Sequence, residues 1–353
     1  MLDAPTVLAL SEADAALGHL QGLGHLITDP QLLIGPYVTR EALASSRIEG
    51  TQASLAEVLQ AGAEVDDTER TTDDVAEVQS YVRATYRGLE LIKTLPISQR
   101  LVLDVHRVLL TGVRGEDRLP GELRRSPVWV GSPTDSPDTA VFVPPLPEHL
   151  GDLLADWERF VNEPGPQPAL VRCALMHYQF ETIHPFLDGN GRIGRLLIGL
   201  LLHQQGRLTT PLLYLSGYLE THRREYYERL QRIRTHGEWE DWLSFFLEGV
   251  ASVAQEATGT TTRIVHMIER DRGRIGQVGR AAGSALRVHD LAVRSVVVTP
   301  KMVTVNTGLT GPPTYDAIRR LDELGVLREV TGRRRGRIWV YGEYLDLLNE
   351  GTG

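Results

Sequence analysis

A twelve-residue stretch near the middle of the 353-residue chain, HPFLDGNGRIGR at 184–195, combines residue types that bind and activate phosphates. Its three glycines let the backbone turn sharply and approach a ligand, and the apolar residues that follow predict a helix beginning near Asn190 or Gly191. The first amides of such a helix lack partners within it, so the loop suits an anion. Arg192 and Arg195 lie three residues apart in the first turn, where the helix dipole disfavours cations unless a polyanion is bound.

Two further side chains of this stretch have roles in phosphate chemistry. His184 precedes a proline, which favours extended geometry, and its imidazole can accept a proton near neutral pH. Asp188 offers a hard oxygen of the kind that Mg²⁺ takes together with substrate phosphates. A zinc site at His184 and Asp188 is disfavoured because no third ligand is close in sequence, and the loop lacks the lysine of a Walker A motif.

Each of these features alone has a plain structural interpretation, and their coincidence is what favours function. A base, a metal ligand, an anion-binding loop and two guanidinium groups together predict phosphoryl or nucleotidyl transfer from a nucleoside triphosphate.

The elements around this loop are predicted to be mainly helical. Apolar residues recur at helical spacing through the first ninety residues, again from residue 99, and from residue 149 to about residue 254. Two short β-rich runs flank a turn-rich connection and predict one hairpin, Val128 to Val143. The Gly- and Thr-rich stretch QEATGTTT, at 255–262, is predicted to begin a connecting segment.

The C-terminal part differs in charge from the rest. From Asp271 onward there are thirteen Arg or Lys and nine Asp or Glu, whereas the whole chain has a net charge of −9. A helix-sized run, a Gly-Pro-Pro turn, a second amphipathic helix from Thr314 to Leu324 and two β-rich runs resemble a winged helix-turn-helix. DNA phosphates could bind its arginines, which are Arg319 and Arg320 on the second helix and Arg333, Arg334, Arg335 and Arg337 at the wing. The alternatives are packing on the core, support of a dimer, or protein binding.

Composition limits the class of protein further. The N-terminus lacks the basic and apolar segments of a signal peptide, and the longest apolar run, at 196–202, is too short to span a bilayer. The single cysteine excludes an internal disulfide, and the pattern around Cys173 predicts a core position. We therefore expect a folded cytoplasmic protein with no membrane partner.

The central stretch matches, at every specified position, the motif of Fic-domain proteins, and the preceding ALMHYQFETI resembles the helix that leads into it. The resemblance implies a Fic-type helical core and a protein adenylyltransferase, which moves AMP from ATP to a Ser, Thr or Tyr hydroxyl of a protein, itself included. It implies that His184 deprotonates the hydroxyl and Asp188 holds Mg²⁺. The γ-phosphate would bind Arg195, and the remaining phosphate contacts would come from Gly189, Asn190, Gly191 and Arg192.

Two other segments resemble parts of the same family. The hairpin resembles the flap whose edge pairs with the main chain of the target, which implies docking at Val128, Trp129, Val130 and Gly131. A plain structural hairpin is the alternative. RREYYERL resembles the paired tyrosines of the family, which implies that Tyr227 contacts adenine. Alternatively, the two tyrosines are core and rim residues.

A third segment, EALASSRIEGTQAS, carries Ser45, Glu49 and Gly50 and is predicted to be a helix that Gly50 ends. By spacing alone it is a helix with a glycine cap, but it also resembles the inhibitory helix of the family. The resemblance implies that Glu49 pairs with Arg195 and that ATP then binds only in an unproductive pose. In some relatives the same Glu supports removal of AMP.

These segments suggest three regions: an N-terminal helical region with the inhibitory helix (1–95), a catalytic core (96–255), and a linker with a winged helix (256–353). Alternative functions are a DNA-binding regulator with a nucleotide-sensing core, a de-AMPylase, or a transferase of UMP or of a single phosphate. A homodimer is also possible.

Overall fold

The computed structural model describes residues 2–26, 31–63, 71–131, 134–334 and 336–350, and these residues are mainly helical. The helices before residue 280 are α1 (Ala4–Leu26), α2 (Gln31–Ile48), α3 (Leu55–Ala63), α4 (Asp73–Leu91), α5 (Gln99–Leu110), α6 (Leu150–Asn162), α7 (Ala169–Ile183), α8 (Asn190–Gln204), α9 (Leu215–Thr221), α10 (Arg223–His236) and α11 (Trp239–Gly276). The C-terminal part follows as α12 (Ala282–Ser295), β1 (Val297–Val298), α13 (Pro300–Thr307), α14 (Pro312–Glu323), β2 (Leu327–Glu329), β3 (Trp339–Tyr341) and α15 (Gly342–Asn349).

Helix α8 lies at the centre of the core. It is apolar on nearly all sides, and Ile193, Leu197 and Leu201 are almost completely buried. A helix of this composition is stable only when neighbours surround it. It packs against α7, α5, α4 and α2, which places the loop before it among four other helices.

Helix α2 is packed between the catalytic part and the C-terminal part. It contacts α4, α8 and α9 of the catalytic part and α12 of the C-terminal part. The buried guanidinium of Arg40 in α2 donates to the main-chain carbonyl of Glu350 at 2.9 Å and lies 3.8 Å from the ring centroid of Tyr214. The C-terminal part is therefore in direct contact with the helix that ends just before Glu49.

The C-terminal part contains an antiparallel sheet with strand order β1-β3-β2, in which Val297 and Arg328 both pair with Val340. The predicted second amphipathic helix is confirmed as α14. Ala63 of α3 packs against Val297, Ile338 and Val340, so the sheet also contacts the N-terminal region.

The predicted connecting segment at 255–262 is wrong, because α11 runs through it without a break. Ala254, Ala257, Thr261 and Ile264 are buried along one face of α11, which packs along α1. The Thr261 hydroxyl also bonds that of Tyr37 at 2.7 Å. Tertiary burial thus overrides the weak helix propensity of glycine and threonine.

The predicted hairpin is much shorter than expected. Among the described residues of 128–143, one antiparallel bridge joins Val130 to Phe142, with N···O distances of 2.8 and 3.2 Å. Prolines flank both runs, and a proline cannot donate to a strand ladder. A turn from Ser136 to Thr139, in which the Ser136 amide donates to the Thr139 hydroxyl, takes up much of the connection.

Two smaller predictions concern the core and the membrane. The prediction for Cys173 is confirmed, since the residue is fully buried. In the part of the chain that the structure describes, no helix is both long enough and apolar enough to cross a membrane.

Candidate active site

The motif loop connects α7, which ends at Ile183, to α8, which begins at Asn190 as the sequence predicts. The extended conformation expected for His184 is wrong: it has φ 50° and ψ 61° and ends α7 in the left-handed region. A proline disfavours the right-handed helical region at the preceding residue, and His184 instead takes the left-handed conformation in which many helices end. Gly189, at φ 78°, supplies a second left-handed turn before α8 begins.

The Asn190 side chain holds this loop closed. Its Oδ1 accepts from the amide of Phe186 and its Nδ2 donates to the Phe186 carbonyl, both at 2.9 Å. Because the side chain is buried and both of its polar atoms bond to Phe186, the group that Asn190 offers to a phosphate is its main-chain amide.

His106 of α5 also fixes the loop, and the sequence analysis did not identify it. Its Nδ1 accepts from the amide of Gly121 at 2.9 Å, so Nε2 carries the proton and donates to the Asp188 carbonyl at 3.0 Å. The ring stacks on Phe186 with centroids 3.7 Å apart. Burial lowers the pKa of His106 to about 4, which keeps it neutral. The available signal was its place on the apolar stripe of RLVLDVHRVLL.

The His184 imidazole is in the state required of a general base. Burial lowers its pKa to about 4, so the ring is neutral at pH 7. Its Nδ1 lies 3.4 Å from the Glu181 carbonyl, which assigns the proton to Nδ1. Nε2 then has a free lone pair with which to accept a proton.

The two motif arginines have unsatisfied donors in the loop. Arg192 Nη2 lies 3.3 Å from Asp188 Oδ1, while its Nε and Nη1 are buried with no hydrogen-bond partner among the described residues. Arg195 Nη1 is in the same condition. Unsatisfied buried guanidinium donors are costly, and an anion is the partner that would satisfy them.

Glu49 lies against Arg195, at the end of α2. Arg195 Nη2 is 2.6 Å from Glu49 Oε1, and the same guanidinium donates to the Ser45 hydroxyl at 2.8 Å and the Ser45 carbonyl at 2.9 Å. Burial favours the neutral form of Glu49, but the charge and hydrogen bond of Arg195 outweigh it and hold the pKa of the carboxyl below its usual value. Gly50 follows at φ 103°, so the chain leaves the helix there as predicted.

The adjacent tyrosines of α10 differ in position. Tyr226 is buried, with its hydroxyl 2.9 Å from Nε2 of His177, whereas Tyr227 is 37% exposed. The guanidinium of Arg223 lies 5.6 Å from the ring centroid of Tyr227 and donates to the Ile48 carbonyl at 2.8 Å. Tyr227 is thus beside the end of the Glu49 helix.

The segment predicted to dock a target lies along α10. Trp129 is 44% exposed, Val128 and Gly131 are near it in the chain, and Val130 forms the bridge to Phe142. Arg234 of α10 lies 3.7 Å from the ring centroid of Phe142. Gln231 of α10 donates to the neighbouring Val141 carbonyl at 2.9 Å, so α10 fixes the second run of the segment through side-chain contacts.

A metal ion has one candidate ligand here. In the described residues no group of three or more His, Cys, Asp and Glu could hold a metal ion without a substrate. The half-exposed Asp188 carboxylate stands at the mouth of the loop, and Mg²⁺ commonly binds through one carboxylate together with substrate phosphates. The donor set fits Mg²⁺ bound with a nucleotide.

Comparison with known families matches two regions of the chain. The model of the Fic/DOC family N-terminal region matches residues 7–90, and the Fic/DOC family model matches residues 96–202. Together they cover over half of the chain, including Glu49 and the whole motif loop.

Curated relatives include two proteins named protein adenylyltransferase Fic. The one from Drosophila ananassae is 28% identical over 185 residues, which cover 52% of this chain and 34% of the relative. The one from Drosophila grimshawi is 33% identical over 165 residues, which cover 45% and 32%. The chain spans about a third of the length of these relatives.

Solved structures share the fold. A Fic family protein from Desulfovibrio desulfuricans G20 aligns with a TM-score of 0.63 at 20% identity over 97% of both chains. A Fic domain containing signaling protein from Bacteroides thetaiotaomicron aligns with a TM-score of 0.55 at 18% identity, over 71% of this chain and 94% of that one. At these identities the likeness concerns the fold alone.

Proposed function

Because this chain belongs to the Fic/DOC family, we propose that it transfers AMP from ATP to a Ser, Thr or Tyr hydroxyl of a protein and that Glu49 holds it in an inhibited state. The observation that carries the proposal is the contact of Glu49 with Arg195 at the edge of a loop whose buried guanidinium donors lack partners. The proposal includes a target protein with a hydroxyl side chain, modification of the chain itself, and a homodimer.

In the proposed reaction His184 Nε2 takes the proton of the target hydroxyl as its oxygen attacks the α-phosphorus of ATP. The bond between the α-phosphorus and the bridging oxygen breaks, and pyrophosphate leaves with the electron pair. The neutral imidazole supports this role, since a protonated ring could not accept the proton.

The loop would bind the triphosphate through main-chain amides and guanidinium groups. The amides of Gly189, Asn190 and Gly191 lie at the start of α8, where the helix dipole favours negative charge. Arg192 would bind the same phosphates and Arg195 the γ-phosphate. Asp188 would hold Mg²⁺, which would supply positive charge to neutralise the phosphates and the leaving pyrophosphate. Tyr227 would contact adenine.

Glu49 inhibits in this proposal because it occupies the guanidinium that should bind the γ-phosphate. A charge-assisted pair in a partly buried cleft contributes about 1.5–3 kcal/mol. That free energy corresponds to a population shift of about 10- to 150-fold. We expect Glu49→Gly to increase the rate of AMP transfer by about this factor.

The test is intact-protein mass spectrometry of wild type, Glu49→Gly and Glu49→Gly/His184→Ala after incubation with ATP and Mg²⁺, alone and in a cell lysate with labelled ATP. Of the three proteins, we expect only Glu49→Gly to produce an AMP adduct. If neither wild type nor Glu49→Gly, which both retain His184, transfers label to any protein, the proposal is contradicted. The adduct mass distinguishes AMP from a single phosphate. Loss of AMP from a modified protein in the presence of wild type, but not Glu49→Gly, would support AMP removal instead.

A second candidate function is DNA binding by the C-terminal part, which we propose to be a winged helix. The supporting observation is a groove of about 620 Å³ lined by Arg319 of α14 and by Arg334 and Arg337 before β3. Arg319 is partly neutralised by Asp316 at 2.9 Å and Glu323 at 3.7 Å.

The remaining arginines contribute unequally to this candidate surface. Arg320 is half-buried, whereas Arg333 is exposed and Arg335 lies outside the described residues. A mobility shift across salt concentrations tests the candidate, because binding through phosphates weakens as salt rises. Absence of binding at low salt eliminates it, and Arg334→Glu/Arg337→Glu should abolish any binding that occurs.

A further inference from the structure

The side chain of Arg124, in the segment between α5 and the flap, is only 2% exposed and is surrounded by main-chain carbonyls. Its Nε donates to the His184 carbonyl at 2.8 Å and its Nη2 donates to the Pro145 carbonyl at 2.5 Å. Weaker contacts of 3.4 Å reach the carbonyls of Ile183 and Ser126. Its own amide donates to the Pro185 carbonyl at 2.9 Å.

These partners belong to the two segments whose relative position matters for a transfer reaction, the start of the motif loop and the chain on either side of the flap. Ile183, His184 and Pro185 are the end of α7 and the start of the motif loop. Ser126 and Pro145 precede and follow the segment 128–143 that is predicted to dock the target. One guanidinium thus joins the base to both ends of the flap.

The electrostatics suit this arrangement. Carbonyls at the end of a helix are left without partners inside it, and that end of the helix dipole is negative, so a cation is favoured there. A planar guanidinium offers five donors in fixed directions, which an ammonium does not. The left-handed conformation of His184 turns its carbonyl toward Arg124 and costs free energy that surrounding contacts must offset.

We propose that Arg124 is a positioning residue for the transfer, which fixes the backbone of His184 relative to the flap and so sets the distance between the imidazole and the docked hydroxyl. The inference rests on the proposed adenylyltransferase function. Arg124 touches neither the nucleotide nor the reacting hydroxyl in this account, and its effect passes through the main chain and, to a smaller extent, through its charge on the imidazole.

The test uses the full chain in the Glu49→Gly background, with Arg124→Met and Arg124→Lys. Arg172→Met is the matched control, because Arg172 of α7 is also a buried arginine bonded to main-chain carbonyls, those of Phe160 and Glu163, away from the loop. The readouts are kcat per folded molecule, the KM for ATP, the Kd for ATP by calorimetry, and the imidazole resonances of His184 by NMR.

We expect Arg124→Met to lower kcat by about 10- to 100-fold, since small misplacements of reacting groups cost factors of that order, and to leave the Kd for ATP nearly unchanged. Arg124→Lys should recover part of the loss, and Arg172→Met should lower the melting temperature without changing kcat. The His184 resonances should move in Arg124→Met and stay in place in Arg172→Met.

A purely structural role predicts a different pattern. Equal kcat per folded molecule in Arg124→Met, with only a lower melting temperature, would overturn the proposal, and so would unmoved His184 resonances. If Glu49→Gly itself transfers nothing, the proposed function fails, while the resonances still decide whether Arg124 positions His184.

Discussion

At the scale of single residues, the burial of His184 has a direct kinetic consequence. Its pKa is lowered to about 4 by burial, with smaller lowering contributions from the charges of Arg124 and Arg234, whereas Glu49 raises it. Removal of Glu49 therefore takes away one of the contributions that raise this pKa. Because the neutral ring is the active form in the proposed reaction, activity should persist as pH falls and decline only when the ring becomes protonated.

We expect kcat of Glu49→Gly, measured at saturating ATP, not to decrease through protonation of His184 between pH 7 and pH 5. The buried Glu181 carboxyl has a pKa raised to about 7 by burial and titrates in this window, so Glu181→Gln in the same background is the control. A decline centred near pH 6.5 that remains in this control would contradict the assignment of a buried neutral base.

Some residues of the site can be predicted from a local sequence pattern, whereas others are placed only by tertiary contacts. The motif loop and Glu49 were identified because each has a local pattern, and Glu49 does lie on Arg195. Arg124 was not, because it is adjacent to Arg125 in ELRRSP and nothing local separates them. The side chain of Arg125 is 81% exposed, whereas Arg124 is buried by carbonyls about sixty residues away. Only tertiary contacts distinguish the two.

At the scale of elements, the close approach of α7 and α8 depends on Gly194. A Cβ at this position would overlap Glu181 Oε1 and lie 3.3 Å from His177 and Phe180. Gly199, in the same helix, has open space at the corresponding position. The two glycines of one helix should therefore respond in opposite ways to the same substitution.

We expect Gly194→Ala to lower the free energy of unfolding by about 1–3 kcal/mol, the usual cost of overpacking. Gly199→Ala should raise it by about 0.5–1 kcal/mol, because alanine is the better helix former. Urea unfolding followed by circular dichroism measures both. A stabilised Gly194→Ala would mean that the two helices are not packed as closely as described.

The two mispredicted elements have different physical causes. Local propensity favours a break at QEATGTTT, but α11 remains helical there because α1, more than two hundred residues earlier in the chain, covers its buried face. The β-rich runs of the flap have strand propensity, but they form one bridge because their prolines cannot extend a ladder. For α11 the deciding contact therefore lies far along the chain, whereas for the flap the limiting prolines are in the local sequence.

At the scale of the whole molecule, the N-terminal, catalytic and C-terminal regions share one core. The main hydrophobic cluster includes residues from Ala9 to Leu348, and α2 packs on both the catalytic helices and α12. Arg40 adds a bond from α2 to the Glu350 carbonyl. A core shared in this way predicts cooperative unfolding.

We expect differential scanning calorimetry of the full chain to show one transition, and Arg40→Met to lower its midpoint without dividing it. The loss of a buried charged donor should cost about 1–3 kcal/mol. Two well-separated transitions would show that the C-terminal part unfolds independently. The regions on either side of the predicted boundary at residue 256 would then be separate domains.

The continuity of α11 also limits where the proposed transferase would act. Its 38 residues, at about 1.5 Å each, form a rod of about 57 Å that packs on α10 and α7 near one end and on α12 and α15 near the other. Because this connection is stiff, a macromolecule bound to the C-terminal part would stay within a set range of the catalytic loop. Hydroxyls inside that range would experience a high effective concentration of enzyme, and identical hydroxyls outside it would not. Selection of a target would then depend on position as well as on sequence.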